Sequence, residues 1–461
     1  MSFVERPEVH PPAPWQFPDA TRHRLSNGLT VALYDLPGQH VTSTRINLPV
    51  PLAAEPRERE GVATIVSRTM DEGTASHSAD EMAELFEQDG IGLHAGVAHQ
   101  GIWVDLEAAT RHVRTAFDLA LECLTEPAFP HEEVNRHRLQ RLSQIDHEMA
   151  DPSYRATLEF VRTFYTTDSR VSRPTGGSRD SLAQLTRDDC EEFHRRWVRP
   201  DEAYVVVAGD FEEAAMLADL EATLGTWLVS GERLSPQVTP DAPADDRGRV
   251  VFVDRPGSVQ TEIHMGWLGP ARKEGSQWAP FPVLSYAIGG SPHARIDRVL
   301  REEKGYTYGM RGSFRPRSDF GQFVVGGSVR ADATADALRL LGEIFSGADD
   351  GLSAAEVKEG VDYLSMTAPA RYATADAVAD EAASLHLVGL ETDFITDYLA
   401  AMRELTVEDV NAAWQQWSSS PRTVVLVGDA AKYAAAVEQL GLGEVTVVSD
   451  RAGVAGKSEA Q

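Results

Sequence analysis

Few residues of this chain have types and spacing suited to chemistry at a carbonyl. Arg301 and Tyr308 lie seven positions apart in VLREEKGYTYGMRGSF. VLREEKG reads as the last turns of a helix, with Lys304 suited to its negative end and Gly305 supplying a left-handed stop. YTYGMRGSF reads as a strand with Tyr306 and Tyr308 on one face. Arg301 and Tyr308 would then flank one helix-to-strand turn and could converge. Guanidinium and phenol are both hydrogen-bond donors. Together they suit a substrate carbonyl, or the oxyanion formed as water attacks it, where losing one donor typically costs about 2.7–4 kcal/mol. The plainer reading is an arginine that answers a helix dipole and a tyrosine in the core. Gly289 and Gly290 upstream read as a turn, or as a flexible loop admitting a peptide.

Metal-ligating candidates are sparse. His147, Glu148 and Asp151 in HEMAD fall one residue short of H-E-x-x-H, and a His and an Asp at i, i+4 share one helix face. No third ligand is identifiable, and such a pair is usually a solvated surface. His131, His137 and His194 are scattered. Two cysteines, Cys123 and Cys190, are too few for a disulfide framework or a four-cysteine zinc site and read as buried small apolar residues.

The elements that must position these residues fall into two similar halves. The chain has 461 residues, 42% hydrophobic and 25% charged, which suits two to three globular domains. Its net charge of −28 argues against a nucleic-acid partner and permits attraction of basic peptides, though it serves solubility equally well. No apolar run is long enough to span a membrane, and the N-terminus lacks the apolar core of a signal peptide, so the expected location is cytoplasmic. Residues 1–20 read as a Pro-rich surface arm, 230–249 (Pro-rich and acidic) as a linker, and 446–461 as a disordered tail.

On either side of the linker the same order of signals recurs. LTRDDCEEFHRRW (185–197) precedes YVVVAGD (204–210), and LTVEDVNAAWQQW (405–417) precedes TVVLVGD (423–429). In each, Leu-Thr opens a capping-box-like helix start with Asp189 or Asp409 three residues after the Thr, Trp follows, and a Val-rich buried strand comes next. This predicts an internal duplication of about 200 residues. NGLTVALYDL places Leu29, Val31 and Leu33 on one strand face, and RVVFVDRPGSVQTEIHMGW gives two strand runs around a Pro-Gly turn. Ser78 with Glu81, and Ser353 with Glu356, open helices as capping boxes. Phe323, Val325 and Gly327 read as a core strand. The predicted fold class is α+β, with two homologous domains at 21–229 and 250–445, each a mostly antiparallel sheet covered by helices.

SNGLTVALYD, GVATIVSRTMDEGT, PSYRATLEFVRTFY, RPDEAYVVVAGDF and above all AIGGSPHARIDRVLREEKGYTYGMRGSF resemble the pitrilysin, insulinase and mitochondrial-processing-peptidase family over about residues 20 to 445. That resemblance implies a LuxS/mitochondrial-processing-peptidase-like fold and a catalytic H-x-x-E-H helix, in which the histidines bind zinc and the glutamate is general base. Aligned on Gly61, Ala63, Gly73 and Thr74, the ligand positions fall on Thr64 and Arg68, the base on Ser67, and the distal ligand on Gln144. None is a good zinc ligand, and Arg68 is a permanent cation. The resemblance therefore implies a chain that binds no metal, with zinc in a homologous partner subunit, and Arg301, Tyr308, Gly289 and Gly290 as substrate-binding residues. The implied function is the non-catalytic, substrate-holding subunit of a heterodimeric zinc endopeptidase acting on peptides. The alternative is a scaffold or peptide-binding protein of the same fold with no proteolytic role. Substrates of this family pair with a sheet edge of the zinc subunit, which leaves no strand-binding residues to assign in this chain.

Overall fold

The structure, a computed structural model, describes residues 10, 15–228, 231, 235, 239–272, 275–317 and 319–450. Two six-stranded sheets frame it. The first contains β1 (Thr21–Arg24), β2 (Thr30–Asp35), β3 (Val41–Leu48), β4 (Gly92–Ala98), β5 (Gly101–Ala109) and β6 (Tyr204–Gly209), in the order β1-β2-β6-β3-β5-β4. The second contains β7 (Val250–Asp254), β8 (Gln260–Gly269), β9 (Arg311–Arg315), β10 (Gly321–Arg330), β11 (Thr423–Gly428) and β12 (Val445–Ser449), in the order β12-β7-β11-β8-β10-β9. β2 runs parallel to β6 and β7 parallel to β11, while the next three pairings of each sheet are antiparallel. Five strands thus match between halves, as the repeated sequence signals require. YVVVAG and TVVLVG are apolar almost throughout because β6 and β11 are buried on both faces.

The helices begin where the sequence offers caps. In the first half, α1 (Val62–Thr69), α2 (Ala79–Asp89) and α3 (Val113–Thr125) lie on one face of the sheet, α4 (His131–Ala150) packs on α1, and α6 (Arg187–Trp197) packs on α1 as well. The second half uses α7 (Pro280–Ser285), α8 (Thr334–Asp349), α9 (Ala354–Arg371), α11 (Asp393–Arg403) and α12 (Val407–Ser418). All four expected capping boxes form, on Ser78, Thr186, Ser353 and Thr406. Cys123 and Cys190 are free and buried, and burial pushes the Cys190 thiol up to about 12.

The remaining face of each sheet is covered by the other half. α5 (Pro152–Phe164) crosses to β8 and β11, where Phe160 and Phe164 join Val251, Val425 and Val427 in one apolar cluster. In exchange α10 (Ala375–Leu387) lies on β3 and β6. There Asn47 Nδ2 donates to the Ala383 carbonyl at 2.7 Å, and Tyr204 stacks on His386. The halves are interlocked by this exchange.

Two expected boundaries change. The tail expected from residue 446 is part of the fold as far as Asp450. Val445–Ser449 add β12 parallel to β7, and buried Asp450 faces Arg155 and Arg255. The arm is also more than a surface strip, because Phe17 is buried between Tyr34 and Tyr372, and Trp15 stacks on Tyr372. Of the expected linker, residues 230, 232–234 and 236–238 lie outside the described residues, as do 1–9 and 11–14 of the arm and 451–461 of the tail. The end of the linker is pinned to α5, through Thr166 N to the Ala242 carbonyl and Ala244 N to the Phe164 carbonyl. Among the described residues no helix is long and apolar enough to cross a membrane.

Candidate functional site

α1 starts against a buried carboxylate. Glu55 accepts from the amides of Gly61 and Ala63, both at 3.0 Å, and is held by Arg170 at 2.9 Å. Gly61 has φ +100°, and a Cβ there would stand 2.8 Å from the Gly176 carbonyl oxygen, so only glycine lets the helix begin here. This start places Thr64 and Arg68 on one helical face. Arg68 Nη1 donates to Gln144 Oε1 at 3.0 Å. The two residues are 76 positions apart, and their contact brings together the places that the aligned motif gives to a helix ligand and the distal ligand. Ser67 Oγ donates to the Thr64 carbonyl at 3.0 Å, and Thr64 Oγ1 is buried without a partner. Beside them Arg141 makes two hydrogen bonds to Glu148, at 2.6 and 2.9 Å. Burial, and then the neighbouring Arg141 charge, hold the half-buried Arg68 guanidinium below its ordinary range. A zinc ion does not fit these residues. No imidazole, carboxylate or thiolate stands at any of the four positions, and one of the four is a guanidinium.

HEMAD supplies no metal site either. Asp151 caps α5 through the amides of Ser153 and Tyr154, and Glu148 belongs to Arg141. Among the described residues, the one group with ligand atoms close enough to share an ion is Glu72, Glu133 and His137. His137 Nε2 lies 2.8 Å from Glu72 Oε1, yet the Arg136 guanidinium is already bonded to both glutamates and fills the cation's place. The sequence gives no sign of this group, because Glu72 follows α1 and the others sit on α4. His194 is half-buried, bonded to the Leu124 carbonyl and packed on Phe129.

In the second half the helical segment 295–303 ends as expected. Gly305 is left-handed at φ +62°, with its amide on the Arg301 carbonyl and that of Tyr306 on the Leu300 carbonyl. The strand that should follow is delayed, since β9 begins at Arg311 and not at Tyr306. Thr307 accounts for part of this: its Oγ1 accepts from the Gly309 amide. Asp297 accounts for the rest. Its fully buried carboxylate accepts from the Met310 amide at 2.9 Å and pairs with Arg311. Tyr306 and Tyr308 therefore share no strand face. Tyr306 bonds Asp336, whereas Tyr308 is 94% exposed and is no core residue. Arg301 is partly exposed, with Asp297 at 4.0 Å and Glu302 at 3.5 Å as its nearest charges. No hydrogen bond joins Arg301 to Tyr308, and Asp297 went unread in the sequence.

Gly289 and Gly290 sit in a π-helical turn, 286–290, that follows α7. A Cβ on Gly289 would meet the Gly312 amide at 2.5 Å, so this glycine lets the turn touch β9. Gly290 is exposed and borders a cavity of about 310 Å³.

The profile of the insulinase family (peptidase family M16) matches residues 30–177, and that of the peptidase M16 inactive domain matches residues 184–364. The chain belongs to the insulinase family. An uncharacterized zinc protease of Mycobacterium tuberculosis is 26% identical to this M16 chain over 342 residues, 73% of the chain and 76% of the relative. A protein of Helicobacter pylori described as a non-peptidase homolog is 20% identical over 76% of the chain and 80% of its own length. The crystal structure of a peptidase M16 inactive domain from Pseudomonas fluorescens superposes with a TM-score of 0.81 at 20% identity, over 89% of the chain and 98% of that structure. The M16 fold is thus present, and Thr64, Ser67, Arg68 and Gln144 are the residues that the resemblance aligns with the zinc motif.

Proposed function

We propose that the chain is the non-catalytic, substrate-holding subunit of a heterodimeric zinc endopeptidase, lending Arg301 and Tyr308 to the active site of a zinc-bearing homologous partner in the cytoplasm. The observation that carries this reading is Tyr308, an aromatic donor left 94% exposed on the turn that follows the helical segment carrying the partly exposed Arg301. A side chain so placed has no structural duty within its own chain, and its phenol is free for an outside oxygen. Zinc held by the partner would supply the Lewis acid and the activated water. Arg301 and Tyr308 would bind and orient, donating to the carbonyl oxygen of a peptide and strengthening as charge develops there. The acidic surface favours basic peptides.

The test is co-expression with the zinc-bearing relative of the same organism, followed by co-purification and a peptide-cleavage assay. A stable pair that cleaves, with each chain inactive alone, is expected. A second reading, a binding or scaffold protein with no proteolytic role, draws on the H. pylori relative described as a non-peptidase homolog. It predicts that no pairing yields cleavage, and that result would end the first reading.

A further inference from the structure

The cavity beside Gly290 has features that neither the zinc motif nor the Arg301–Tyr308 pair uses. It lies between α7, the 286–290 turn, β9 and helices α9 to α11. By element order, α7 and α9 stand in the second sheet's half where α1 and α4 stand in the first. The cavity therefore occupies the duplicated counterpart of the vacated metal position. In place of Arg68 bonded to Gln144, the turn after α7 and helix α9 here bring Tyr286 and Tyr363 together, ring centroids 4.8 Å apart.

Arg272 dominates the cavity's charge. Its guanidinium carbon lies 5.4 Å from the ring centroids of both Trp278 and Phe394. Its Nε is buried without a hydrogen-bond partner, and among the described residues no carboxylate pairs with it. Burial holds this guanidinium below its ordinary range, with Glu381 nearby working the other way. Glu381, however, is paired with Arg371 at 3.3 Å. The cavity thus holds two guanidiniums against one carboxylate. A buried cation without a counter-ion is unfavourable until an anion joins it. Aromatic contacts occupy the faces of a guanidinium and leave its N–H edge as a donor fork. A volume of about 310 Å³ stands at the lower end for small-ligand pockets.

We propose that this cavity binds a monocarboxylate carrying a flat or branched apolar group, with the acid on the Arg272 edge and the apolar group among Trp278, Phe394 and Tyr286. One uncompensated positive charge matches one carboxylate, and the rings match an apolar body. The acid is either a free small molecule or the C-terminus of a peptide. The proposal needs no partner subunit, so its test is read on this chain alone and its failure leaves the roles of Arg301 and Tyr308 untouched.

Isothermal titration of the full chain with phenylacetate, and with its neutral isostere phenylacetamide, tests it. N-acetyl-alanyl-phenylalanine as free acid and as C-terminal amide makes the second pair of probes. Saturable binding of phenylacetate is expected, with the amide weaker by at least about tenfold. If the peptide acid binds as well, the site takes a peptide terminus; if phenylacetate alone binds, it takes a free acid. Arg272→Gln should abolish the preference for acid over amide, and Arg272→Lys should keep part of it. Phenylacetate should also raise the melting temperature of the wild-type chain and of Arg272→Lys, but not of a folded Arg272→Gln. Equal binding of acid and amide, no saturable binding of either acid, or a preference that survives in Arg272→Gln overturns the proposal.

Discussion

The two halves share a sheet order and differ in what stands at corresponding places. In the first half the helix pair α1 and α4 is closed by Arg68 on Gln144, and its exposed chemistry is spent internally. In the second half the matching helices enclose a cavity, and the segment after 295–303 leaves Tyr308 in solvent. The same framework has been sealed on one side and kept open on the other. Duplication preserves backbone order more strictly than chemistry, because a sheet tolerates any side chain that keeps its packing volume and satisfies its hydrogen bonds.

The sharpest way to break this contrast is kinetic. In a cleaving pair, Arg301→Ala should lower kcat by about two to three orders of magnitude, corresponding to ~2.7–4 kcal/mol, without dissociating the subunits. Arg68→Ala should leave kcat within a few fold. Equal losses from the two, measured under saturating peptide, would erase the distinction between sealed and open halves.

Stability should separate the halves less steeply. Arg170→Met leaves Glu55 buried and unpaired in the first half, an expected loss of about 3–5 kcal/mol in urea unfolding. Asp297→Ala removes an acceptor from the Met310 amide in the second half and should cost about 1–3 kcal/mol. It should also loosen 305–311, visible as faster amide exchange there.

Next comes pH. His264, on the second sheet beneath Phe160 of α5, is pushed down to about 4 by burial. The unfolded chain takes up this proton near 6.5 and the folded chain only near 4. Stability from this group is therefore complete above pH 6.5 and falls as pH drops toward 4, by up to about 3 kcal/mol. His264→Gln should flatten the stability curve in that window. An unchanged slope would show that the seam between the halves is more hydrated than its packing implies. Smallest are the caps. Thr186→Ala and Thr406→Ala should each cost about 1 kcal/mol, and a clear inequality between them would weaken their equivalence as duplicated helix starts.

The duplication was legible because caps and Val-rich strands carry local signals, and both recur in order. The exchange of α5 and α10 was not, since an amphipathic pattern shows that a face is buried and not which sheet buries it. Residues 446–449 fall in the expected tail, and only pairing to β7 makes them part of a strand. At the candidate site, the meeting of Arg68 and Gln144 could be anticipated only through the family's spacing. The early strand at Tyr306 failed for a definite reason: period-two aromatics point to a strand, but the Thr307 hydroxyl and the buried Asp297 carboxylate take the Gly309 and Met310 amides first. A buried aspartate between an isoleucine and an arginine looks like any surface charge in one dimension. Arg272 is equally silent, since its rings come from residues 278 and 394.

The bond from Arg68 to Gln144 also bears on the chain's history. Gln144→Glu, taken alone as a first step back toward a metal site, would hand Arg68 a carboxylate and fasten the closure. Arg68→His alone would leave a lone imidazole facing Thr64 and an amide. Neither single change yields a site that selection could reward with zinc chemistry. The Arg68–Gln144 contact therefore resists stepwise conversion into a metal site, since both positions must change together before an ion could bind.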